Sequence, residues 1–239
     1  MSETPKTLTV AYWKIRGLCA PLRMLVYFAG VQDTVNFVCY DAGDPEAVSY
    51  KSEWLAAKPA LLERHAMINL PYCIDSEQNH IITQSNACLY FLGRRFQLDG
   101  NTEPQKQRID QVIAQTMDLR NAAVGQFYRS TRTVPEYITQ VVTSHYTKLN
   151  EFMTENKTNF SAADEVTVAD FHLWEMLDQH EEYFKRHNTG SSEEITSILP
   201  QFPRLAALYS AIRQHEALQS YFASPLYKLP LNNPHANFR

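Results

Sequence analysis

Apolar and polar positions follow two different regimes along the chain. Residues 7–13 (TLTVAYW) are β-branched and aromatic, the pattern of a buried strand. From 20 to 30 the apolar positions Leu22, Leu25, Val26, Phe28 and Ala29 follow a helical face. Residues 35–40 (VNFVCY) return to a strand pattern, and the next segment, DAGDPEAVSYKSEW, is polar and rich in turn formers. Residues 71–75 and 80–83 predict two short strands about a polar turn at 76–79, and residues 86–97 predict a helix through Ala87, Tyr90, Phe91 and Phe96. The order strand, helix, strand, strand, strand, helix describes a small α/β domain.

Beyond Gly100 the pattern is helical throughout. Ile109, Val112, Ile113, Met117, Val124, Phe127 and Tyr128 mark one helix over 103–131. Tyr137, Ile138, Val141, Val142, Leu149, Phe152 and Met153 mark a second over 136–156. A third is expected from Thr167, with others over roughly 192–199 and 203–222. Thr167 and Asp170 stand three residues apart at the start of the third, the spacing of a capping box, which assigns Asp170 to helix structure rather than to a cleft. The expected fold class is therefore α/β plus all-α, with domains at 1–97 and 98–239 joined through 98–101. No internal repeat, heptad array or low-complexity tract interrupts this division.

Composition narrows the function classes. With 44% hydrophobic residues and 20% charged, the chain carries ample material for a core. No stretch approaches the ~18 consecutive apolar residues of a membrane span. The N-terminus lacks the charged-then-apolar design of a secretory signal, so the expected compartment is the cytoplasm. A net charge of −4 with scattered cations argues against nucleic acid. The four cysteines, Cys19, Cys39, Cys73 and Cys88, show no CxxC spacing and read as reduced, mostly buried thiols. The histidines show no HExxH arrangement, so no metal is expected.

Candidate chemistry sits mostly in the first domain. Pro71, at a strand start after Leu70, is a candidate cis proline whose turn would present the backbone of Leu70 to an extended peptide ligand. Ser85 stands at a predicted helix start, where a hydroxyl and free N–H groups suit a carboxylate, although an ordinary N-cap needs the same residue. YWKIRGL at 12–18, KSEWLAAK at 51–58, NLPY at 69–72, QSNA at 84–87 and QTMD at 115–118 occur in this order. Together they closely resemble the glutathione transferase family, and the Tyr-Trp opening and QTMD point to its mu class.

The resemblance implies a thioredoxin-like glutathione-binding domain, then an all-helical domain forming the pocket for a hydrophobic electrophile. It implies that Tyr12 donates a hydrogen bond to the glutathione sulfur. Trp13, Leu18, Trp54, Lys58, Asn69, Leu70, Pro71, Gln84 and Ser85 would hold the tripeptide, and Asp118 would reach the glutathione of a second subunit. Tyr128 would face the electrophile. The implied protein is a cytoplasmic, homodimeric detoxifying enzyme that uses glutathione as co-substrate and needs no cofactor. Lys51 stands where the class has arginine, residues 59–68 run about two residues longer than usual, and the tail PLYKLPLNNPHANFR differs from the class tail. Two other readings compete: a non-catalytic binder of hydrophobic ligands, and thiol–disulfide exchange through Cys19, which lacks a CxxC partner because Leu22 occupies that position.

Overall fold

The β-branched N-terminal run forms β1 (Leu8–Trp13), the first of four strands, in a computed structural model that describes residues 7–187 and 197–239. These divide into two compact units, one of residues 7–96, 216–237 and 239, the other of 97–187, 197–215 and 238.

In the first unit β1 is followed by a 3-10 turn (Gly17–Cys19), α1 (Ala20–Phe28) and β2 (Val35–Tyr40). Then come α2 (Ser52–Arg64), β3 (Tyr72–Asp75), β4 (His80–Thr83) and α3 (Ser85–Arg95). The sheet order is β2-β1-β3-β4, with β1 parallel to β2 and antiparallel to β3, and β3 antiparallel to β4. A parallel pair needs a crossover, and α1 supplies it. That helix closes on Gly30 at φ +69°, with the Gly30 and Val31 N–H groups returning to Tyr27 and Val26, a Schellman ending that favours glycine.

The segment 41–54 reads as polar and turn-rich and the expected element order has no helix between the second and third strands, yet α2 lies there. Its signal is hidden because Trp54 is its only buried residue, Leu55 and Leu62 face solvent, and Pro59 sits inside it. Trp54 anchors it to a sheet-face cluster with Ala11, Ile68, Tyr72 and Ile81.

The second unit contains α4 (Glu103–Arg129), α5 (Val134–Tyr137), a π-helical turn (Ile138–Val142), α6 (Thr143–Asn156), α7 (Val168–Arg186) and α8 (Pro203–Gln214). Helix α7 is its axis: Val168 to Glu181 is buried without interruption. The cap expected at its start is present, since the Asp170 carboxylate accepts from the Thr167 N–H (2.7 Å) and hydroxyl (2.9 Å) and from the Ser161 N–H (2.8 Å). Asp170 is fully buried, as the helix-structural reading requires. The helix expected near 192–199 falls mostly outside the described residues; of it, Leu199 opens a 3-10 turn (Leu199–Gln201). The pattern over 203–222 predicts one helix, but it breaks after Gln214 and resumes as α9 (Gln219–Ala223).

That break is also where the chain changes unit. A second domain of 98–239 is expected from helical periodicity, whereas residues 216–237 pack with the first unit. Tyr221 of α9 sets its ring edge-on to Tyr27 of α1 at 5.5 Å, and the tail beyond bonds to the turn after β1. Periodicity reports helices but not which core they join.

Candidate functional site

Strand β1 ends in Tyr12 and Trp13, and the pleat sends neighbouring side chains to opposite faces. Trp13 joins Val38, Tyr40 and Ile74 around the cluster that α2 covers. Tyr12 lies across from Cys39 of β2 and is 6% exposed. The chain then turns through Gly17 at φ +40°, where an added Cβ would stand 2.8 Å from Tyr12 Cε1 and 3.2 Å from its hydroxyl oxygen. Only glycine lets this turn close on the tyrosine ring. Leu18 follows, half-buried, in the 3-10 turn.

The tail secures the same turn. Arg16 N–H donates to Pro230 O (2.7 Å) and Gly17 N–H to Leu231 O (3.1 Å), while the Arg16 guanidinium lies 4.5 Å from the Tyr227 ring centre. Beside it opens a cleft of about 230 Å³, lined by Lys14, Ile15, Asp41, Pro230, Asn233 and Arg239 among others.

Helix α2 brings Trp54 and Lys58. The Trp54 ring sits 5.4 Å from Tyr40, edge-on, and 6.2 Å from Tyr72, and the two tyrosine hydroxyls share a 2.8 Å hydrogen bond. Burial, then that bond, pushes the Tyr72 phenol up, so it stays neutral. Lys58 Nζ is 5.9 Å from the Trp54 ring centre, within cation–π reach. Lys51 adopts φ 63° before α2, with Nζ over the Tyr50 ring at 4.6 Å.

The Leu70–Pro71 peptide is cis, as its position before a strand suggests. No motif marks Thr83, yet it staples this turn: its hydroxyl accepts from Asn69 N–H (3.2 Å) and donates to Asn69 O (2.9 Å), with Pro71 O at 3.3 Å as the alternative acceptor. Of the Leu70 backbone groups expected to face a ligand, the N–H is taken by Asn69 Oδ1 at 2.9 Å. Thr83 is followed by Gln84 at φ 75°, an exposed non-glycine residue in the left-handed half of backbone space. A residue so placed stores local strain, a recurrent feature of binding sites.

Gln84, not Ser85, holds the N-cap position of α3, and no side chain caps it. Ser85 is the first helical residue, so its hydroxyl and the first-turn N–H groups together offer an anion site rather than an ordinary cap. Tyr12, Trp13, Leu18, Trp54, Lys58, Asn69, Leu70, Pro71, Gln84 and Ser85 all lie in the first unit, spread over β1, the 3-10 turn, α2, the cis turn and the start of α3.

Asp118 and Tyr128 belong to the second unit, ten residues apart on α4, about 15 Å along the axis at 1.5 Å per residue. Asp118 is exposed and lines a cleft of about 330 Å³ with Gln111, Gln115, Lys148, Leu149 and Phe152, where Gln115 Nε2 bonds His145 Nδ1 at 2.8 Å. Burial, then Lys148, holds His145 below its ordinary value. Tyr128 is half-buried.

Cys19 is fully buried, and burial pushes its thiol up to about 12, which keeps it protonated and inert. Among the described residues no group of three or more His, Cys, Asp or Glu could hold a metal, and no helix is long and apolar enough to cross a membrane.

Comparison with known proteins bears on the family and the fold. The family described as "Glutathione S-transferase, C-terminal domain" matches residues 117–225. The chain is 30% identical over 239 residues to mouse "Glutathione S-transferase Mu 5", covering 98% of this chain and 96% of that one. It is 34% identical over 177 residues to rat "Glutathione S-transferase Mu 2", covering 72% and 76%. Among solved structures, a pi-class glutathione S-transferase of Onchocerca volvulus superposes with a TM-score of 0.73 at 21% identity, covering 97% of this chain and all of that one, which establishes the fold.

Proposed function

The chain belongs to the mu class of glutathione transferases, and from that premise we propose that it conjugates glutathione to hydrophobic electrophiles with Tyr12 stabilising the thiolate. A free thiol has pKa ~8.5, so only a few per cent is thiolate at neutral pH. A phenol O–H aimed at sulfur favours the anion over the neutral thiol. Lowering the thiol pKa by ~2 units requires ~2.7 kcal/mol, the size of one charge-assisted hydrogen bond. The observation that carries this reading is the Tyr12–Gly17 contact: a rigid phenol is set at a strand end by a turn that tolerates no side chain.

Glutathione carries two carboxylates and one ammonium, and the other residues divide that work. The open first turn of α3 at Ser85 and the cation of Lys58 suit the carboxylates. Gln84, Asn69, Leu70 and Pro71 form a backbone-rich edge for the extended tripeptide, and Trp13, Leu18 and Trp54 wall it. Two copies associate in the cytosol, with Asp118 of one reaching the glutathione of the other and Tyr128 facing the electrophile. Support for the pair comes from the class and from the exposure of Asp118.

The test is conjugation of glutathione to a generic aryl halide across pH, with glutathione binding measured in parallel. Turnover that rises through a thiol titration below the free value supports the enzyme. Tight glutathione binding without turnover supports a ligand-binding protein instead.

Gly17→Ala tests the geometry. The new methyl is strained at φ +40° and meets the Tyr12 ring, so stability falls by about 1–3 kcal/mol and the displaced hydroxyl lowers turnover about tenfold. Denaturant midpoints and kcat read the two effects; unchanged kcat means the Tyr12 position does not matter.

A further inference from the structure

Helix α1 buries a cation for which the described residues supply no anion. Arg23 is 1% exposed, although arginines usually run their charge out to water. Its Nη1 donates to Ile15 O at 2.7 Å, and Nη2 lies 3.4 Å from Trp13 O and 3.5 Å from Cys39 Sγ. Its Nε has no partner among the described residues.

The titratable groups that bear electrostatically on this guanidinium are Cys19 on the 3-10 turn, Cys39 on β2, Tyr221 on α9 and Tyr12 on β1. These are thiols and phenols, and no carboxylate stands among them. A buried charge without a counter-charge is costly, and proteins rarely keep one. The two carbonyls it grips belong to the segment just after Tyr12, and Tyr12 is itself within its electrostatic reach.

Building on the reading of Tyr12 as the thiol-activating donor, we propose that Arg23 is a positioning residue whose buried charge is completed by the glutathione thiolate. Its hydrogen bonds hold the backbone from Trp13 to Ile15, and its field favours the anion that forms at the Tyr12 hydroxyl. The thiol proton leaves to solvent, and Arg23 keeps its own protons throughout. A charge in the protein interior acts over several ångströms far more strongly than it would in water. This explains why a cation, and not merely a donor, occupies the position.

The experiment titrates the thiol of bound glutathione, by the ultraviolet absorbance of the thiolate, in wild type, Arg23→Gln and Arg23→Lys. Glutamine keeps a donor and removes the charge; lysine keeps the charge. Arg23→Gln is expected to raise the bound thiol pKa by about one unit and to lower kcat at neutral pH up to about tenfold, with KM for glutathione changed less than about twofold. Arg23→Lys is expected to stay within about 0.3 unit of wild type, whatever its thermal stability. A purely structural arginine would lower stability in both variants and leave the titration in place. An unshifted titration in Arg23→Gln, or an equal shift in Arg23→Lys, overturns the proposal. Should Arg23→Gln fail to fold, Arg23→Lys decides alone, since a raised thiol pKa there is fatal to it. A wild-type thiol that titrates as it does in free glutathione sinks the Tyr12 reading first, visibly and before any variant is compared.

Discussion

Replacing Tyr12 with phenylalanine lowers glutathione conjugation at neutral pH by about 10- to 100-fold and leaves the fold intact. The change removes one oxygen and keeps the ring that fills the space against Gly17. What is lost is a hydrogen bond to a charged acceptor, worth about 1.5–3 kcal/mol, and each 1.36 kcal/mol is a factor of ten in rate. The thiol titration of the bound glutathione moves up by about 1–2 units for the same reason. Two consequences follow for the pH profile. The deficit shrinks as pH rises, because solvent then makes the thiolate without help, and glutathione binding at neutral pH weakens only a few-fold, because the lost bond acts mainly on the ionised form. Rate against pH for wild type and Tyr12→Phe measures both. A variant that keeps more than about half of wild-type turnover at neutral pH would falsify the role of Tyr12.

Acidification from pH 7 to about 4.5 destabilises the helical unit by several kcal/mol, and two buried histidines of α7 account for most of it. His180 has its hydrogen bonds arranged for the neutral ring. Met176 O can only accept, so Nδ1 at 2.7 Å carries the hydrogen, and Nε2 then accepts from the Tyr137 hydroxyl at 2.8 Å. Phe127, Tyr137 and Tyr146 enclose the ring. His172 is 3% exposed, and its Nδ1 has no partner among the described residues. Burial pushes His172 down to about 3 and His180 down to about 4, from an ordinary 6.5. The folded values lie below the unfolded one, so the unfolded chain binds the extra protons as pH falls. Their stabilisation is therefore complete above about pH 6.5 and is lost progressively toward pH 3 to 4. Each contributes on the order of 2 kcal/mol of that loss by about pH 4.5. Asp170 and Glu181, both raised by burial, act in the opposite direction and offset part of it. Thermal unfolding at the two pH values reads the sum, and His172→Leu isolates one contributor. The variant should lose about 2 kcal/mol less than wild type on acidification; an identical loss would remove His172 from the account.

How much of this was legible beforehand depends on the range of the interaction concerned. Strand β2 and the α7 cap depend on neighbours in the chain: a six-residue run dominated by valine, phenylalanine and tyrosine, and a threonine and an aspartate three apart. The motifs at 12–18, 51–58, 69–72, 84–87 and 115–118 carry the mu-class resemblance in the same local way. Ser85 at a helix start was equally readable, but its exact role was not. An N-cap and a first helical residue differ by one position, and the left-handed turn of Gln84 decides between them.

Local sequence determined the strands, most of the helices, the order of the two domains and the residue types of the candidate site. Tertiary structure alone decided the rest. Helix α2 exists although its sequence contains Pro59 and turns leucines to water, because Trp54 finds a buried place against Tyr40 and Tyr72. Residues 216–237 join the first unit because Tyr221 meets Tyr27 and the tail carbonyls meet Arg16 and Gly17, some two hundred residues away in the chain. Thr83 becomes the staple of the cis turn, and Arg23 a buried cation beneath the Tyr12 turn, through contacts that no spacing announces. Backbone propensity and periodicity act over a few residues, whereas burial, charge pairing and close approach depend on what the fold brings within a few ångströms.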